Sequence, residues 1–220
     1  MDDDTSTAGP PSDRVRLRRI AERGRYDAAT ITSILDDGLV AHVGVTTPDG
    51  PVVLPMAYGH TDGTLYLHGA VGNALLGAAV DVELCATVTL VDGLVLARTP
   101  FHNSMNYRSV VVRGRGRRVQ DPVEHELALR VITDHLVATW DHGRAPSAAD
   151  LRRTLVLALP LDEASAKVRS GDPVDEPEDL DGPHWAGTVA VTTQFGTPVP
   201  AADLADGIAV PDSVRATFGN

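Results

Sequence analysis

Apolar residues recur along the chain in two rhythms, and each rhythm predicts a different kind of element. Between Asp27 and Asp37 the apolar Ile31, Ile34 and Leu35 fall at helical spacing. One stripe of this helix therefore packs inward, with Asp27 placed to cap it and Gly38 to end it. The period then drops toward two. Residues 39–47, 51–58 and 63–69 read as strands joined by short turns at Pro48-Asp49-Gly50 and Thr61-Asp62-Gly63, residues suited to tight hairpin connections. The segment 73–80 predicts a short helix capped by Asn73. Strands follow near 83–91, 94–98 and 106–119, with Asp92-Gly93 as a tight turn between the first two. Leu127, Val131, His135 and Leu136 restore helical spacing over 121–140, behind the capping pair Asp121-Pro122. Alternating Leu155, Leu157 and Leu159 return the β pattern over 153–169, and 171–183, with its prolines and acids, predicts a loop. Many short antiparallel strands with few helices outside them predict a small barrel in an α+β setting.

Composition narrows this picture. The 220 residues fit one medium domain over 14–200, preceded by a disordered tail at 1–13 and followed by a C-terminal extension at 201–220. The chain is 43% apolar, yet no apolar run approaches membrane-spanning length and the N-terminus lacks a secretory pattern. A soluble, cytoplasmic protein with no membrane partner is expected. The net charge of −11 sits beside two basic stretches, Arg14 to Arg25 and Arg108 to Arg118. That balance disfavours nucleic acid and leaves small anions as partners. The single cysteine, Cys85, lies in a strand-like run, so no disulfide framework forms and a buried thiol is expected. The chain has no GxSxG elbow, no Walker A loop and no GxGxxG after a strand, which disfavours serine-hydrolase, nucleotide-hydrolysing and Rossmann readings. His42, His68 and His102 show no HxxxH spacing, and no metal site is predicted.

The most unusual stretch runs from Arg98 to Val119. It opens on a dense polar cluster, His102, Asn103, Ser104, Asn106, Tyr107, Arg108 and Ser109, and then becomes the β-branched strand of Val110, Val111 and Val112. This is more hydrogen-bonding capacity than a turn requires, at a place where a polar ligand could bind.

Six pieces in order, ERGRYDAATITSILDDGLVAHVGV (22–45), PVVLPMAYG (51–59), LYLHGAVGN (65–73), FHNSMNYRSVVVRGRG (101–116), SAKVRSGDP (165–173) and HWAG (184–187), resemble the pyridoxamine 5'-phosphate oxidase-like split-barrel superfamily. Within it the chain is most similar to the flavin-binding branch that contains nitroimidazole-resistance-type proteins. The resemblance implies a mainly β (α+β) fold, a six-stranded antiparallel split β-barrel with flanking helices. It also implies a homodimer with FMN in clefts shared between the subunits. FMN needs partners for a dianionic phosphate, a polyhydroxyl chain and a flat ring.

On this resemblance Val53, Leu54, Pro55 and Met56 lend backbone groups and apolar surface to the isoalloxazine edge; as residues alone they read equally as core strand. The turn HGAVGN offers Gly69, Gly72 and Asn73 to the phosphate at a helix N-terminus. Relatives carry Lys or Arg just after Gly69, where this chain has Val71, Gly72 and Asn73, which shifts the cationic role toward Arg98, Arg108 or Arg113. His68, beside the cofactor, is the candidate catalytic residue as a donor or proton carrier, with a structural histidine as the alternative. Asn103, Ser104, Asn106, Tyr107 and Ser109 would line the ribityl chain, and Arg108 would pair with the phosphate. Lys167, Arg169 and Trp185 are placed at the substrate or ring face. The expected function is an FMN-dependent oxidoreductase acting on a small molecule, with a reduced nicotinamide as electron source. The alternatives are a non-catalytic flavin- or haem-binding protein, with His68 or His102 as axial ligand, and an F420-dependent reductase.

Overall fold

The computed structural model describes residues 8–218. Its elements in chain order are β1 (Gly24–Arg25), α1 (Ala28–Asp37), β2 (Ala41–Thr47), β3 (Gly50–Met56), β4 (Tyr58–Thr61), β5 (Thr64–Ala70), α2 (Ala74–Ala78), β6 (Glu83–Leu96), β7 (Ser104–Arg115), β8 (Arg117–Arg118), α3 (Pro122–Leu136), α4 (Ala148–Arg152), β9 (Thr154–Pro160), β10 (Ala164–Arg169), β11 (Gly187–Ala190) and α5 (Asp212–Phe218). The three expected caps are made: the side chains of Asp27, Asn73 and Asp121 accept backbone N–H groups of Thr30, of Leu75 and Leu76, and of Glu124. The Thr30 bond also holds the Asp27 carboxyl below its ordinary pKa. Asp27→Ala is expected to cost about 1 kcal/mol, measured as a lower midpoint in a urea titration with unchanged slope.

One sheet runs β1-β10-β7-β6-β2-β3, with β11 added on β6, and a second runs β4-β5-β9-β8. The strand pairs are antiparallel. β3 passes into β4 and β7 into β8 across one residue, and β9 into β10 across a short bend. Counted this way, six continuous strands close on themselves in the order β2, β3–β4, β5, β9–β10, β7–β8, β6 and back to β2. This is the expected six-stranded barrel.

Inside it lie Val43, Val45, Leu65, Leu67, Leu84, Ala86, Val88, Val110, Val112, Leu157 and Leu159, and α1 plugs one end with Ile31, Ile34 and Leu35. The Tyr58 hydroxyl ties that plug down, 2.6 Å from the Leu35 carbonyl and 2.9 Å from that of Gly38. Gly38 ends α1 as expected, but in extended backbone. It is glycine because a Cβ there would stand 2.3 Å from Val88 Cγ1. Outside the second sheet, Ala128 and Ile132 of α3 bury Tyr66, Val119, Val156 and Ala158.

Asp92-Gly93 is not a turn. β6 runs straight through it, with a register shift between Val91 and Gly93 opposite β7. The two residues serve a bulge: the Asp92 carboxylate takes the Arg108 guanidinium at 2.9 and 3.0 Å, and Gly93 lets β11 lie close, since a Cβ would be 3.1 Å from the Val189 carbonyl oxygen. Of the expected tail, residues 1–7 lie outside the described residues, whereas Ser12 donates to Glu163 at 2.6 Å. In the extension, 219–220 also lie outside them. Among the described residues no helix is long and apolar enough to cross a membrane.

Candidate functional site

Strand register sorts the candidate residues by face. Leu54 and Met56 pair with the buried Val43 and Ala41, so they turn toward the barrel interior. Val53 and Pro55, paired with Gly44 and His42, turn out. Val110 and Val112 are core, so Tyr107 and Ser109 point outward from β7, and their partners Arg169 and Lys167 point outward from β10. Val91 and Thr89 of β6 lie between them and β2. Six candidates, Val53, Pro55, Tyr107, Ser109, Lys167 and Arg169, thus share the outer face of one sheet.

His68 stands on β5 of the other sheet, opposite Val156. Leu65 and Leu67 face the interior, so His68 faces out beside Tyr66. It is half-buried, and its Nδ1 is fully buried without a hydrogen-bond partner. Burial pushes the imidazole below its ordinary pKa, which keeps it neutral near neutral pH. Buried polar atoms in folded proteins are normally paired, so this nitrogen stands out as unsatisfied. His102 presents a second such atom: its Nδ1 is buried and unpartnered, its Nε2 lies 4.0 Å from Glu176, and its ring is 5.4 Å from that of the exposed Phe101.

Other candidates are engaged within the chain. In the turn after β5, Val71 N–H donates to Arg153 O and Asn73 N–H to Ala70 O, while the Asn73 side chain takes the Leu75 and Leu76 amides. Gly69 packs against Leu76, and Gly72 is open. Arg98 pairs with the buried carboxylate of Asp175 at 2.8 Å. Arg108 is gripped by Asp92 and also by Asp37. Arg113 donates to the Arg14 carbonyl. Asn103 accepts the Ala97 N–H at 2.8 Å, Asn106 joins Arg169 to the Gly171 carbonyl, and Ser104 is exposed opposite Val95. Trp185 is exposed and folds back over Gly187, where a Cβ would meet its ring at 2.8 Å. Nothing in the local sequence of Asp37, Asp92 and Asp175 signalled that these acids hold the arginines. Arg23, whose charge acts on Arg169, was visible only as part of a basic run.

Two half-buried imidazoles set a pH dependence. His135 donates from Nε2 to the Gly38 carbonyl at 2.7 Å and, like His68, is pushed below its ordinary value by burial. As pH falls through about 6.5 the unfolded chain takes up protons at these positions before the folded chain does. Stability from these groups is therefore fully present above that pH and lost below it. Thermal midpoints measured from about pH 7.5 downward are expected to decline before ordinary carboxylates titrate, and a flat profile down to about pH 5 would count against these burials.

The model of the pyridoxamine 5'-phosphate oxidase family matches residues 27–168. No curated protein matches the chain. Among solved structures, the flavocytochrome Anf3 from Azotobacter vinelandii is 33% identical, with a TM-score of 0.91 over 96% of this chain and 99% of that one. The FAD- and haem-binding protein from Mycobacterium smegmatis is 32% identical, with a TM-score of 0.85 over 89% and 97%. A candidate 5-nitroimidazole antibiotic resistance protein from Bacteroides thetaiotaomicron is 28% identical, with a TM-score of 0.55 over 66% and 86%. With its strand order and these likenesses in agreement, the chain belongs to the pyridoxamine 5'-phosphate oxidase family.

Proposed function

We propose that this protein is a redox protein that holds a flavin nucleotide and a haem, in which His68 would hold the haem iron and two copies of the chain would share the cofactor clefts. The observation that carries this reading is the His68 imidazole: neutral, half-buried, and without a hydrogen-bond partner among the described residues. Haem iron is commonly ligated by neutral imidazole, so the side chain fits the group. The names of the two relatives at 33% and 32% identity, a flavocytochrome and a FAD- and haem-binding protein, point the same way. When bound, the flavin would exchange one or two electrons and the haem iron one.

The chain's own residues supply the setting. Val53 and Pro55 present apolar surface on the outer face, and the Tyr107 and Ser109 hydroxyls offer hydrogen bonds to a polar chain. Support for pairing comes from an apolar row on the same sheet: Val189, Leu94 and Met105 are register partners on β11, β6 and β7, and each is between 46% and 49% exposed. Such a row is the kind of patch that marks a protein–protein contact. Two copies joined there would bring their outer faces together.

The test is to titrate the purified protein separately with FMN, FAD, F420 and haem, and then to add a reduced nicotinamide without oxygen. Uptake of one flavin and of haem, with both absorption spectra changing on reduction, is expected. Selective uptake of F420, or flavin uptake with no haem at any concentration, overturns the reading.

A further inference from the structure

Arg169 is a buried cation without a buried anion. Its residue is 8% exposed, and its guanidinium donates to Asn106 Oδ1 and to the carbonyls of Gly171 and Asp172 at 3.2 and 3.1 Å. No carboxylate pairs with it among the described residues. Arg23 stands close enough for its charge to act on Arg169. Lys167, two residues along the same outward row of β10, pairs in register with Gly24 and Ser109. The side chains of Arg23 and Lys167 are half-buried and also lack an acidic partner among the described residues. Three clustered cations without a counter-charge are unfavourable by mutual repulsion and by desolvation. This cluster forms in a chain of net charge −11, in which Arg98 and Arg108 do have acidic partners.

We infer that Arg23, Lys167 and Arg169 form an anion site that takes the phosphate or diphosphate group of a nucleotide. A phosphate offers several acceptor oxygens and about two negative charges, which offset most of the charge of the three cations. The Tyr107 and Ser109 side chains, directly across on β7, lie on the same face. The turn after β5 has committed the amides of Val71, Asn73, Leu75 and Leu76 to its own hydrogen bonds. The cations on β10 and before β1 are therefore the stronger anchor. This deepens the flavin reading and rests on it for one source of the phosphate; the other source is a nicotinamide dinucleotide bringing electrons.

The test compares wild type with Arg23→Ala and Lys167→Ala, both half-exposed positions that avoid removing the Arg169 clasp. Affinities of the full-length protein are measured for inorganic pyrophosphate, FAD, riboflavin and NADH. Each substitution is expected to weaken the phosphate-bearing ligand about tenfold. Weakened FAD with unchanged riboflavin assigns the phosphate to the flavin, and weakened NADH with unchanged FAD assigns it to a separate nucleotide. Unchanged affinity for all four ligands in both variants overturns the site. A wild-type protein that takes no flavin but binds pyrophosphate through Arg23 and Lys167 overturns the flavin reading and leaves this site standing.

Discussion

His68→Ala is expected to remove the Soret absorption that the proposed haem would give the purified protein and to leave the flavin bands in place. Loss of a residue that merely orients a metal ligand lowers affinity by about 10- to 100-fold, so loss of the ligand itself is expected to cost at least about 100-fold in haem affinity. The stability readout separates this from a structural role. A histidine satisfied inside the fold would lose hydrogen bonds on truncation, whereas His68 has a buried Nδ1 with no partner to lose. Removing it also removes an imidazole that burial holds below its ordinary pKa. Without added haem the variant should therefore melt close to wild type at neutral pH. Below about pH 6.5 it should keep more of its stability than wild type does. Haem uptake equal to wild type would end the assignment, and His102, the other histidine with a buried unpartnered nitrogen, would be the next to replace.

Gly59→Ala is the substitution expected to damage the fold most. A Cβ on Gly59 would sit 2.7 Å from the backbone N of Ile132 and from the carbonyl C and O of Val131, inside α3. Helix backbone cannot rotate aside as a side chain can, so α3 must move off the sheet. That loosens the cluster of Tyr66, Val119, Ala128, Ile132, Val156 and Ala158 beneath it. Overpacking of this kind costs about 3 kcal/mol, which for a chain of this size lowers the thermal midpoint by roughly 6–12 °C. Because His68 shares that outer face with Tyr66, haem uptake should weaken in the same variant. Gly77→Ala is the control: it lies in α2, a Cβ there has open space, and the change should be neutral or slightly stabilising. Equal melting of the two variants would show that α3 does not press on Gly59.

Local chemistry was legible in the sequence, and long-range partnership was not. Asp27, Asn73 and Asp121 announced their helices because a cap is written within four residues. The turn at Asp62-Gly63 is equally local: both residues adopt positive φ, 48° and 72°. Asp92-Gly93 carried the same kind of signal and meant something else, because its fate depends on Arg108 across the sheet and on β11, nearly a hundred residues later. Gly38 and Gly59 look like ordinary loop and strand glycines until Val88 and α3 are in place against them. For the site, the alternation of β7 and β10 already set Tyr107 with Ser109 and Lys167 with Arg169. That the two pairs share a face with Val53 and Pro55 needed the register of five strands. The arginines were the hardest to read. Arg98, Arg108 and Arg169 look alike in the sequence, and only the distant Asp175, Asp37 and Asp92 distinguish the first two from the third.

The absorption spectrum of the purified protein, oxidised and then chemically reduced, bears on the whole reading at once. Flavin bands together with a Soret band, both changing on reduction and the Soret band absent in His68→Ala, are expected. A protein that shows flavin alone and gains no Soret band when haem is added, or that binds haem equally well without His68, would refute the assignment of this barrel as a flavin- and haem-binding redox protein ligated through His68.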